Sequence, residues 1–427
     1  MAFGSLREEK SKRVQSVKIT PLAVPDVPLL NCKGVHQKVF LRSLIEVTTE
    51  GGLVGLGETY GSRRTLLGLQ RSADALVGLD PFHLHDLRHR VVEALPEGGG
   101  VNAPTAVADH QLTDVVTSAF EVACMDLQGK ILGRPVSDLL GGKVRERVAF
   151  SAYLFFKFAK QYDAERPDRW GEVLTPDAMV REARTLVEEN GFKSLKLKAG
   201  HLEPALEIET MLKLRETFPD APLRIDPNGG WTVETAIRIG QTLDGVLEYM
   251  EDPVLGMDAM AEVASAVSMP LATNMVVIEF EHLEESIKKN AVQVVLSDHH
   301  YWGGLRGSSH LARACQALGL GLSMHSNSHL GISLAAMTHL AAATPNLTYD
   351  CDTHYPWIET DIIEGGKMQF QDGALTPPAG PGLGVALDRT AVDRLHQLYL
   401  QTGIDDRDDT ATMRRYIPDY ERRVPRW

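Results

Sequence analysis

Seven polar residues recur along the second half of the chain on a nearly even beat. They are Lys198, Asp226, Glu251, Asn274, Asp298, His325 and Asp350, separated by 28, 25, 23, 24, 27 and 25 residues. Each falls at or near the end of a short apolar stretch: "SLKLKAG", "PLRIDPNGG", "LEYMEDP", "PLATNM", "VQVVLSD", "LGLSMHSNS" and "NLTYDCD". An eighth stretch, "VAFSAYLFF", precedes them, and amphipathic helical patterns separate them all. One strand, one helix and two short loops consume about that many residues, so the pattern predicts successive parallel βαβ units. Eight such strands with seven intervening helices close into a barrel, whose strand C-terminal ends form one face. An open doubly wound sheet would spread the same residues along a crevice instead.

Within the second stretch, "GFKSLKLKAG", period-two geometry sends Lys196 and Lys198 to one strand face and Leu195 and Leu197 to the other. An isolated KxK reads as a solvated edge strand, because lysines protect edges from pairing. Its place in the beat argues for the barrel mouth instead.

The first part of the chain differs in texture. "KVFLRSLIEVTT", a turn at "EGG" and "LVGLGETYG" read as an antiparallel hairpin, so Gly52, Gly55 and Gly57 do not open a helix as a dinucleotide site requires. "VVTSAFEVACMDLQGKILG" follows as a helix with Gly133 as its stop. The expected organisation is α/β: residues 1–144 form an α+β capping or lid domain, and residues 145–375 a modified TIM barrel, (β/α)7β. The Pro/Gly-rich "TPPAGPGLG" opens a segment, 376–427, that packs back on the capping domain.

A chain of 427 residues with a formal net charge of -13 has no general attraction for nucleic acid or an anionic membrane surface, and neither is an expected partner. An acidic ligand would need a locally positive pocket. The four cysteines form no CxxC pair, and the N-terminus lacks the apolar core of a signal peptide, which together predict a cytoplasmic enzyme.

At the predicted mouth, Asp226, Glu251 and Asn274 end consecutive strands and offer oxygen ligands, the set that suits Mg²⁺ rather than zinc. Lys196 and Lys198 lie to one side of this set, and Asp298 and His325 to the other. Lys198 beside a second cation loses proton affinity and can act as a base, while Lys196 supplies fixed positive charge. Asp298 can hold the His325 ring in one tautomer. Two bases about a stabilised oxyanion suit removal of a proton next to a carboxylate. "HSNSH" places His325 and His329 four apart, but no HExxH follows and zinc is not expected. His299, His300, Tyr301 and Trp302 line the rim or pack beneath it.

Together these motifs, with "NCKGVH", "IDPNGGWT", "SDHHYW", "DTHYPW" and "DDRDD", resemble the enolase superfamily and within it the glucarate dehydratases. The resemblance implies Mg²⁺-dependent dehydration of a C6 acid-sugar dicarboxylate, D-glucarate and also L-idarate, to 5-keto-4-deoxy-D-glucarate by a homo-oligomer. A related activity on another acid sugar, dehydration or epimerisation, is the alternative. By the same resemblance His325 and Lys198 take the C5 proton from opposite epimers, and Lys196 and Asn274 touch the reacting carboxylate. Asn228, Ser326, Asn327, Tyr153, His354 and Arg407 match further substrate contacts, and His36 and Thr105 match lid positions. The sequence departs from the family's pattern after "EDP", where "VLGMDAM" is short and lacks an additional acidic ligand, leaving that role to Glu251.

Overall fold

The computed structural model describes residues 12–95 and 111–427. Strands β1 (Val14–Pro25), β4 (Val39–Thr49) and β5 (Val54–Tyr60) form an antiparallel sheet in that order, and β2 (Leu30–Asn31) pairs with β3 (Gly34–Val35) between them. The hairpin β4–β5 is the expected one, with Gly52 at φ 83° in its turn. Gly55 and Gly57 have a packing reason. A Cβ at either would run into the backbone oxygens of Ala123 or Ala119, on the helix Gln111–Leu132 that lies across the strand. Gly133, at φ 67°, ends that helix as predicted.

Eight parallel strands follow: β6 (Val148–Phe155), β7 (Ser194–Lys198), β8 (Leu223–Asp226), β9 (Tyr249–Glu251), β10 (Leu271–Thr273), β11 (Val294–Ser297), β12 (Gly321–Met324) and β13 (Cys351–Thr353). Each lies in or overlaps one of the eight stretches quoted above. β13 pairs with β6, and Ser323 Oγ on β12 donates to Asp350 O at 2.9 Å, which brings the two ends of the series together as a ring. A helix separates each strand from the next, from Pro176–Asn190 to Gly331–Ala343. The first is set locally: Thr175 Oγ1 accepts from Ala178 N, Pro176 takes the first turn, and Gly191 at φ 73° ends it. Short β14 (Ala374–Leu375) adds antiparallel to β6.

One member of the beat belongs elsewhere. Asp350 precedes β13, and its Oδ2 accepts from the hydroxyl of Ser194, the first residue of β7, at 2.7 Å. It therefore lies at the strand entrances, opposite the mouth. β13 begins at Cys351, near the end of the apolar stretch and past Asp350, and period two puts Asp352 on the same face one step nearer the mouth.

The barrel interior beneath the mouth is ionic where apolar layers would be expected. Arg224 Nε meets Glu248 Oε2 at 2.6 Å, Arg224 Nη1 lies 3.7 Å from Asp352 Oδ1, and Lys196 Nζ lies 2.6 Å from Asp352 Oδ2. Lys196 and Arg224 are fully buried.

The two regions are joined at β5. Glu58 accepts from Leu330 N at 2.9 Å and Ser333 N at 2.8 Å, satisfying orphan donors at the start of the wholly buried helix Gly331–Ala343, while Arg42 Nε donates to it at 2.7 Å. Beyond β14, helix Arg389–Thr402 lies on β1, where His396 Nδ1 and Pro21 O are 2.8 Å apart. The chain then crosses to the mouth: Asn31 Nδ2 donates to Asp409 Oδ2 at 2.9 Å, and Thr232 N to Trp427 O at 2.6 Å. The last segment thus touches both the first sheet and the barrel. Among the described residues, no helix is long and apolar enough to cross a membrane.

Candidate active site

The βα loops after successive strands bring the predicted residues to one end of the ring. Asp226, Glu251 and Asn274 sit on or just after the neighbouring strands β8, β9 and β10. Asp226 and Glu251 are fully buried, and Asn274 Nδ2 donates to Glu251 Oε1 at 2.8 Å. Asp226 Oδ1 accepts from Asn228 N and Nδ2, both at 3.0 Å, with Asn228 held at φ 49°. Asp252, at φ 38°, accepts from Asn274 N at 2.9 Å. Two non-glycine residues at positive φ beside the same carboxylates mark a site whose geometry is imposed from outside.

Burial would raise the Asp226 carboxyl, but Lys198 and Lys196 hold it down at about 2. Burial and the Asp226 charge push Glu251 well above the usual carboxylate range, and burial takes Asp252 up to about 7. Among the described residues Glu251 Oε2 receives no hydrogen bond, and it faces the Lys196 ammonium as an ion pair. Crowded, buried acids with the Asn274 side-chain amide beside them fit a hard dication such as Mg²⁺.

On the β7 side, Lys198 Nζ lies 2.7 Å from Asp226 Oδ2 and 3.1 Å from the Tyr153 hydroxyl, which itself donates to Asp226 Oδ2 at 3.1 Å. Lys196 lies deeper. Burial alone would strip its proton, but Asp352 and Glu251 outweigh this and keep the ammonium well above the ordinary lysine range. It is a fixed positive charge under the cavity floor.

On the other side, His325 Nδ1 meets Asp298 Oδ2 at 3.0 Å. Asp298 Oδ1 is taken by the backbone N and Nδ1 of His300, at 2.9 and 2.8 Å. Against its burial, His300 and His325 hold the Asp298 carboxyl well below its usual range. His329 packs on His300 with ring centroids 4.9 Å apart and does not pair with His325. Among the described residues, Asp298, His300 and His329 form a cluster of acidic and imidazole groups whose ligand atoms lie within 4.8 Å of one another. His300 Nε2 already faces Ser333 Oγ at 3.1 Å and Glu58 O at 3.2 Å, so both of its ring nitrogens are engaged.

A cavity of about 620 Å³ opens between the lysine and histidine sides. Lys198, His325 and Asn274 line it, as do Asn228, Ser326 and Asn327 from the loops. Tyr153, His36, His354 and Arg407 complete the predicted contacts there. His36 is held by Asp26 at 2.9 Å and stacks on His354 at 5.9 Å; burial lowers the His354 imidazole to about 3, and among the described residues neither of its nitrogens has a hydrogen-bond partner. Thr105 lies outside the described residues.

Two expected contacts are arranged differently. Lys196 turns toward Asp352 and Glu251, below the cavity. Arg407, expected to face a substrate carboxylate, spends its fork on Asp409, with Nε and Nη2 at 2.8 and 2.6 Å from the two oxygens. Sequence reasoning also missed Asp352, Tyr60, Arg42, Glu58 and the role of His300. The pattern "DCD" carried a signal for Asp352, since its two acids share a strand face. Tyr60, Arg42 and Glu58 reach the site only because β4 and β5 fold over it.

Two family descriptions match the chain: "Enolase C-terminal domain-like" over residues 178–391, and "Mandelate racemase / muconate lactonizing enzyme, N-terminal domain" over residues 16–141. A Streptomyces coelicolor protein named as a probable glucarate dehydratase is 47% identical, over 97% of this chain and 99% of its own. A solved enolase from Mycobacterium smegmatis complexed with tartrate is 53% identical, with a TM-score of 0.93 over 97% of this chain and 98% of that one. An enolase from Thermobispora bispora complexed with magnesium and formate is 50% identical, with a TM-score of 0.95 over 98% of this chain and all (100%) of that one.

Proposed function

The chain belongs to the enolase superfamily, and from that premise we propose that it is a Mg²⁺-dependent acid-sugar hydro-lyase. Its substrates are D-glucarate and L-idarate, and its product is 5-keto-4-deoxy-D-glucarate. The observation that carries this reading is the placement of Lys198 and His325 in one cavity, on either side of the Asp226, Glu251 and Asn274 oxygens. The tartrate of the M. smegmatis relative is itself a hydroxylated dicarboxylate, and the T. bispora relative was solved with magnesium.

Asp226, Glu251 and Asn274 would hold the ion. When bound, Mg²⁺ supplies Lewis-acid stabilisation of charge on the carboxylate next to the reacting carbon. Asp298 accepts from Nδ1 of His325, so Nε2 is the atom left to face the cavity. His325 Nε2 removes the C5 proton of one epimer, and Lys198 Nζ removes it from the other. The C5–H electron pair moves into the enediolate, with the Lys196 ammonium fixed beneath it. The C4–O bond then breaks, the hydroxyl leaves as water with a proton from His325, and the resulting enol becomes the C5 ketone. A cytoplasmic homo-oligomer belongs to the same reading.

A second reading, dehydration or epimerisation of another acid sugar, is favoured by the pairing of Arg407 with Asp409, which leaves less of its fork for a distal carboxylate. A screen of acid sugars with Mg²⁺, assayed for 2-keto acid and for C5 exchange in D₂O, separates them. Glucarate and idarate should turn over, and EDTA should abolish both reactions until Mg²⁺ is restored. An inert glucarate beside another active diacid would overturn the sugar assignment; no exchange on any acid sugar would overturn the chemistry.

A further inference from the structure

Oδ2 of Asp298 serves two donors. His325 Nδ1 lies 3.0 Å away and the Tyr60 hydroxyl 3.2 Å away. A carboxylate only accepts, so the phenol is the donor. Tyr60 ends β5 and reaches the barrel mouth from the first sheet. Its ring is held from three directions: the Arg42 guanidinium carbon is 5.0 Å from its centroid, Tyr301 stacks on it at 5.5 Å, and the His300 ring lies 5.1 Å away.

We propose that Tyr60 is a positioning residue for the His325 base: by donating to Oδ2 of Asp298 it draws charge from the oxygen that holds His325 Nδ1–H, and so sets the basicity of the imidazole from the capping domain. The inference rests on reading His325 as a base. Around the Asp298–His325 pair stand Arg42 from β4, Glu58 and Tyr60 from β5, and His299, His300 and Tyr301 after β11. His329 and Arg407 approach from the loop after β12 and from the last segment. His300 bonds to Oδ1 of Asp298 through its backbone N and Nδ1, and Oδ2 faces Tyr60 and His325. Removing the phenolic donor strengthens Oδ2 as an acceptor, which favours the imidazolium and raises the pH at which His325 gains its proton.

The test uses full-length enzyme loaded with Mg²⁺. In Tyr60→Phe, the His325 midpoint, read by ¹⁵N NMR without substrate, should move up by about half a unit to one unit. The acidic limb of C5 exchange for the epimer served by His325 should move with it, a loss of about 3- to 10-fold well below the midpoint. The limb for the epimer served by Lys198 should stay in place. 3-Fluorotyrosine at position 60, a stronger donor with the same ring, should move the His325 midpoint down, and it decides the matter if Tyr60→Phe is poorly folded. An unchanged midpoint in both variants, or equal movement of both limbs, overturns the proposal. If the parent exchanges neither epimer, the dehydratase reading falls while the NMR midpoint still decides the role of Tyr60.

Discussion

The two sides of the mouth are supported in opposite ways. Every ionic partner described for Lys196 and Lys198 comes from the barrel itself: Asp226, Glu251 and Asp352, with Tyr153 beside them. Asp298 and His325 lean instead on the first sheet, through Tyr60 directly and through His300 to the Arg42–Glu58 pair. A charge fixed by a buried internal network has one setting. A histidine steadied from the first sheet answers also to strands outside the barrel ring, one of which caps the Gly331–Ala343 helix through Glu58.

The largest expected effect breaks the comparison outright. His325→Asn should lower C5 exchange of glucarate by about 10²- to 10⁴-fold while leaving idarate exchange within a few-fold, and Lys198→Met should invert that ratio. Exchange of both epimers followed by proton NMR in D₂O checks it. Equal loss in either variant would show one base and not two.

A middle-sized effect tests the dependence on the first sheet. Glu58→Ala removes the acceptor at Leu330 and Ser333 and leaves Arg42 buried without its partner. It should lower stability by about 3 to 5 kcal/mol, seen as a lower urea midpoint, and slow the His325 epimer more than the Lys198 epimer.

The smallest effect sharpens the lysine side. His201, in the loop after β7, has Nδ1 2.9 Å from Asn31 O, and burial lowers its imidazole to about 4. The folded chain therefore resists a proton that the unfolded chain takes up below its usual 6.5. The associated stability is present above that pH and is lost as pH falls toward 4. His201→Gln should remove about 2 kcal/mol of the difference in unfolding free energy between pH 7 and pH 5.

Much of the lysine side was legible in the sequence, because its parts follow a local rule. Alternation put Lys196 and Lys198 on one strand face, and the βα period put Asp226, Glu251 and Asn274 at consecutive strand ends. The same rule found Asp298 and His325, since they too end strands. It failed at β13, which begins past Asp350, so Asp350 falls at the strand entrances and Asp352 joins Lys196 beneath the cavity. It was silent about Tyr60, Arg42 and Glu58. Those residues sit more than 230 positions from the barrel groups they touch, inside a hairpin whose sequence explains itself by alternation alone. Nothing in Arg407 betrays Asp409 as its partner either, because a fork two residues from an acid can equally point outward.

The ionic column down the barrel axis has a consequence for how the strands find one another. Apolar layers tolerate a slip of two residues, since valine replaces leucine with little penalty. Here the same slip in β7 or β8 would leave Lys196 or Arg224 sealed in the interior without a carboxylate, at a cost of several kcal/mol. The charged centre thus acts as a key that admits one stagger of the staves, and it would reject misthreaded rings before any ligand arrives.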